Sequence, residues 1–149
     1  MSTKPRHTLK LLVMALCAAA LLAGGCGGSS SYKSQVEDAA KQFKKTSVDA
    51  GAKLRSARTK QAFATGVGEF QGAVRTFNGK LQSLSPPSGA KAAQARLISV
   101  LNTFSADVGA VRDALNKGNV GQIQSLQSKV VSDVSAVQSA AKELQNKAG

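Results

Sequence analysis

The chain has 149 residues, with 20 Lys and Arg against 8 Asp and Glu for a formal charge of +12, one His and two Cys. That length allows one modest domain. The His and both Met lie in the first 14 positions, so from Cys26 onward there is no His, Met or Trp and a single Cys, which excludes much metal, redox and His-based acid-base chemistry.

Lys4, Arg6 and Lys10 precede an apolar run from Leu11 to Ala23, followed by the small residues Gly24 and Gly25. This is the three-part layout of a secretory signal peptide. The run is too short for a lasting membrane span, which needs about 20 apolar residues. A buried N-terminal helix of the folded domain is the alternative, and the Gly/Ser stretch that follows argues against it. Leu22-Ala23-Gly24-Gly25-Cys26 resembles the lipobox of bacterial lipoproteins. The resemblance implies cleavage between Gly25 and Cys26, removal of residues 1–25, and a fatty-acylated diacylglyceryl group on the Cys26 thiol. It places the mature protein at the cell membrane, lipid-anchored on the extracytoplasmic face. One departure is Ala23 at the position where the family prefers Leu, with Leu22 one place further back; an ordinary signal-peptidase cut is the alternative. Cys17, inside the apolar run, reads as a small hydrophobe that is discarded with the signal. A single exported Cys fits no disulfide framework, and lipidation would remove its free thiol. Two or three acyl chains anchor stably where one binds only marginally.

Residues 26–31 then comprise the lipidated Cys and a flexible Gly/Ser tether, with an r.m.s. span of roughly 12 Å. From Tyr32 to the end the pattern is helical. The first inward stripe is Val36, Ala40, Phe43, Ser47, Ala50, Leu54 and Ala57; the second is Phe63, Val67, Phe70, Val74, Phe77, Leu81 and Leu84. Both run at alternating spacings of four and three. They are one residue out of phase, which predicts a turn near Arg58–Lys60 with Thr59 as N-cap; one long overwound helix is the alternative. Glu37 and Asp38 fall in the first turn of the first helix, favourably placed for its dipole. Pro86-Pro87 breaks the second helix, and Ser88 is positioned to cap the third. That helix carries Leu97, Leu101, Phe104, Val108, Val111 and Leu115, with Gly118 as its stop. Asn119 can cap the fourth, whose stripe is Ile123, Leu126, Val130, Val134, Val137, Ala141 and Leu144. The expected helices are 32–57, 60–84, 89–117 and 120–147 within a body of 32–149. Four amphipathic segments with short connections predict an all-α, up-down-up-down four-helix bundle, close to a coiled coil in spacing.

Leu, Ile, Val and Phe make up 27 of the 124 residues from Cys26, barely above the level at which charged chains stay disordered. The sustained heptad-like spacing decides for folding. Ala-rich seams leave little room for a cofactor, and none is expected. All five Phe lie on the stripes, so they read as core rather than as a ligand site. The acids are scattered, with no pair spaced as an acid-base couple and no metal set. Asp133, beside the fourth stripe, is the one acid to watch. No nucleophile elbow, phosphate loop, dinucleotide fingerprint or calcium loop is present. The expected protein is not an enzyme. Gly66, Gly68, Gly72 and Gly79 crowd the second helix, either weakening it or smoothing a face for a partner.

With three basic residues assigned to the signal, the mature chain carries 17 basic residues against 8 acidic, or +9. Lys53, Arg55, Arg58, Lys60 and Lys117 are predicted at the end of the bundle away from the membrane. This basic tip is expected either to contact anionic cell-wall polymer or simply to solubilise the surface. Nucleic acid is a poor partner, since no aromatic residues interleave with the charges. Residues 26–149 as a whole resemble small uncharacterised bacterial lipoproteins with an all-helical body and a Leu-x-x-Leu-x-Pro-Pro turn, here Leu81 to Pro87; that group has no established activity to transfer. Two functions stay open: a non-enzymatic envelope protein that binds polymer or another envelope protein, and a carrier of a small apolar or anionic ligand between the helices. An apolar pocket would favour the carrier, and a filled core with an exposed basic tip would favour the binder.

Overall fold

The computed structural model describes residues 31–148; the signal and lipobox positions, Gly25 and Cys26 among them, lie outside the described residues. Four helices follow in order: α1 (Ser31–Ser56), α2 (Lys60–Ser83), α3 (Lys91–Lys117) and α4 (Val120–Lys147), with a 3-10 turn at Ser88–Ala90. Each packs on the next, α1 on α2, α2 on α3 and α3 on α4, as in an up-down bundle. The seam between α1 and α4 is the loosest; a narrow slot runs along it between Val36 and Ala40 on one side and Ala141 and Leu144 on the other.

The connections show why the helices stop where they do. Thr59 is extended (φ −117°, ψ 155°) and its side chain accepts from the Ala62 N–H at 3.0 Å, so α1 and α2 are separate helices. Gly118 adopts the left-handed conformation (φ 69°), which lets its N–H reach the Leu115 carbonyl and the Asn119 N–H return to the Ala114 carbonyl. The Asn119 side chain then accepts from the Gln122 N–H at 3.1 Å, starting α4.

Two local expectations fail. Ser88 does not cap α3: the Ala90 N–H bonds back to the Pro87 carbonyl, the chain winds into a 3-10 turn, and α3 begins at Lys91 without a side-chain cap. Glu37 and Asp38 are not in the first turn of α1, because the helix already starts at Ser31; Asp38 instead pairs with Lys41 at 3.3 Å on an exposed surface.

The stripes meet in one core. Phe43 stacks on Phe77 with ring centroids 4.9 Å apart, and Phe70 meets Phe104 edge-on at 5.9 Å. Phe70, Phe104, Leu81, Leu97, Leu101 and Val130 are essentially sealed from solvent, each contributing roughly 1.5–3 kcal/mol of burial. Three buried amides stitch the helices across this core. Gln94 on α3 accepts from the Tyr32 hydroxyl at 2.7 Å and donates to the Leu81 carbonyl at 2.6 Å, tying the start of α1 and the end of α2 to α3. Gln71 on α2 donates to the Ser105 carbonyl at 2.8 Å and accepts from Arg112 at 3.1 Å. Asn78 donates to Asn102 at 2.6 Å. Gln71 fits because position 109 is glycine: a Cβ there would stand 2.5 Å from its amide nitrogen.

Candidate functional site

The antiparallel course of the helices brings the α1–α2 turn and the α3–α4 turn to the same end of the bundle. Lys60, at the start of α2, extends its ammonium to the Asn116 carbonyl at the end of α3, 3.4 Å away. A cation is favourable there, against the free carbonyls of a helix C-terminus. Arg58 is exposed in the first turn, and Lys117 is exposed in the last turn of α3, next to Gly118. Arg58, Lys60 and Lys117 therefore share one end of the molecule. Arg55 lies in the last turn of α1.

Lys53 departs from the group. Its ammonium lies 2.8 Å from Glu69 on α2, so it bridges the α1–α2 seam and its charge is matched there. Nearby, Arg112 is occupied by Asp113 at 3.0 Å and by Gln71. The net positive field of this end therefore comes from the turn residues. Solvent-exposed pairs of this kind add little stability, but they decide where unmatched charge remains.

A second arrangement was not legible in the sequence. Asp133 on α4 lies near a second carboxyl, Asp107 on α3, across the seam. Burial first, then the neighbouring Asp107 carboxyl, raise the Asp133 carboxyl from its ordinary value, with Lys129 pulling the other way. Asp133 Oδ2 is sealed from solvent and has no hydrogen-bond partner. The usable signal was the hairpin: in antiparallel helices, residues at similar distances on either side of the Gly118–Asn119 turn come opposite each other, as these two do. A protonated Asp133 suits this partly buried seam better than a charged one, so the seam is held more firmly in acid than at neutral pH. Among the described residues, no group of three or more His, Cys, Asp and Glu is placed to hold a metal ion, and no helix is long and apolar enough to cross a membrane.

The four glycines of α2 divide by environment. Gly66 is part of the packing, since a Cβ there would stand 2.8 Å from Leu54 Cδ2 of α1. Gly68 faces the Arg112 side chain, and Gly72 and Gly79 open onto empty space.

Comparison of the chain with protein-family models, curated proteins and solved structures finds no match.

Proposed function

We propose that the chain is a non-enzymatic, lipid-anchored envelope protein. Cys26 carries the anchor, and the helical body contacts anionic cell-wall polymer or another envelope protein. The observation that carries this reading is the meeting of Arg58, Lys60 and Lys117 at one end of the bundle. That end lies opposite Ser31, where the chain arrives from the lipobox-like sequence. α1 has 26 residues, which at 1.5 Å per residue puts the basic end roughly 40 Å from its start. Such a spacing offers the charge to envelope polymer rather than to the headgroups beside the anchor, beyond the ~10 Å over which screened charges act.

A carrier of an apolar or anionic ligand would need an enclosed space between the helices. The α1–α4 slot holds about 20 Å³, far below the several hundred of a ligand pocket, and the larger space between α1 and α2 is an open groove rather than an enclosed one, which favours contact over carriage. The test is retention of the protein on purified anionic envelope polymer. Retention that falls with salt, and is lost when Arg58, Lys60 and Lys117 become Ser, is the expected result. Retention unchanged in the triple variant would refute the role of this end.

A further inference from the structure

On the outer face of α1 and α2 lies an open groove of about 430 Å³, within the range of small-ligand sites. It exists because the helices close tightly at Leu54 and Gly66, while further along the seam is lined by Ala50, Ala73 and Gly72, which are too small to fill it. Phe43 and Phe77, stacked on each other, form the apolar back of the groove. A polar strap spans each end: Lys53 to Glu69 at one, Lys80 to Gln42 at the other. Gln42 and Lys53 are eleven residues apart on α1, so the straps stand roughly 16 Å from each other. Between them the rim carries Thr46, Asp49 and Thr76, and Gly72 leaves the centre open, with no atom within 4 Å of where its Cβ would be.

We propose that this groove binds a neutral oligosaccharide. The rim has two lysines against Asp49 and Glu69, so its charge is balanced and it selects neither a strongly anionic nor a strongly cationic ligand. Its walls are helices whose backbone groups are already paired, leaving only side chains to hydrogen-bond. Lys53 and Glu69 are matched to each other and Lys80 to Gln42, so the Asp49 carboxylate and the Thr46 and Thr76 hydroxyls are what the rim offers a ligand. Sugar hydroxyls donate to a carboxylate and exchange hydrogen bonds with hydroxyls, and the C–H faces of the rings suit the narrow strip that the largely buried Ala and Phe lining exposes. An extended peptide would leave backbone groups unpaired against such walls. A helical peptide, about 10 Å across, would need far more volume over the same length. The site adds a neutral-glycan contact to the charged one described above and rests on that reading only for its envelope location.

The test is titration calorimetry of the complete chain in detergent with triacetylchitotriose and with maltotriose, alongside sedimentation of the protein with insoluble wall glycan. Saturable, salt-independent binding of at least one trisaccharide is expected. Gly72→Leu should weaken it about tenfold or more, because the leucine fills the groove centre, while the thermal midpoint does not fall. Asp49→Ala should weaken it as well, without touching the core. The Arg58, Lys60 and Lys117 to Ser variant should bind trisaccharide normally, which separates this site from the basic end. Sedimentation with wall glycan, competed by free trisaccharide, would identify the polymer as a source. Absence of saturable binding to either trisaccharide overturns the proposal, as does unchanged affinity in Gly72→Leu.

Discussion

Gly72→Ala and Gly66→Ala are the same chemical change on the same helix, and the structure predicts opposite outcomes. Alanine is about 1 kcal/mol better than glycine in a helix interior, chiefly because it restricts the unfolded chain. At position 72 the new methyl meets nothing within 4 Å, so the full gain of about 1 kcal/mol appears. Unfolding 118 described residues carries an entropy near 0.25 kcal/mol/K, so this gain raises the midpoint by about 4 °C. At position 66 the methyl would lie 2.8 Å from Leu54 Cδ2 and 3.0 Å from Cγ, with the Leu54 backbone nitrogen at 3.6 Å behind them. Leu54 is buried, so its side chain can make room only by shifting within the core. Overpacking of this kind costs about 1–3 kcal/mol, so the net change runs from zero to a loss of about 2 kcal/mol, or down to about 8 °C lower. Thermal melts and urea titrations at constant m-value measure both variants. Equal stabilisation at the two positions would refute the close α1–α2 contact, and destabilisation by Gly72→Ala would refute the open groove.

Asp133→Asn should stabilise the protein at neutral pH. The folded state holds the Asp133 proton more tightly than the ordinary value of 3.8. Its stabilising effect is therefore complete below that value, is lost as pH rises through the raised folded value, and stays lost above it. The midpoint difference between variant and wild type should grow with pH across that window; a difference that is flat, or that grows toward acid, contradicts the raised Asp133 value. Tyr32→Phe removes the hydroxyl that donates to Gln94 and leaves a buried acceptor without its partner, costing about 1–3 kcal/mol. Hydrogen exchange should show the loss concentrated in the first turns of α1; a shift in urea midpoint worth less than about 0.5 kcal/mol would show that this bond does not fix the start of the helix.

The bundle was legible because its information is local. The stripes from Phe63 to Leu81 and from Leu97 to Leu115 repeat at helical spacing, and every one of those positions is buried. The breaks were equally readable at Thr59, Gly118 and Asn119, where one residue supplies the cap. Ser88 was misread because a capping residue after Pro-Pro fits a 3-10 turn as well as a helix start, and only the packing of Ala90, fully buried, distinguishes them. The polar bridges escaped entirely. Gln71, Gln94 and Asn78 look like surface residues in sequence, and their partners are between 10 and 62 positions away. The same holds for Asp107 with Asp133. At the basic end, the run from Lys53 to Lys60 was visible as a cluster, yet which charges remain unmatched depends on Glu69, about two and a half turns into the next helix and out of reach of any local pattern.

Fractionation of wild type against Cys26→Ser in cells tests most directly whether Cys26 holds this helical body at a membrane. Wild type should sediment with membranes and partition into detergent, and the Ser variant should be released from the membrane or retained as an uncleaved precursor that carries no lipid. A Ser variant that is cleaved, and remains membrane-bound in the same proportion as wild type, would contradict the account.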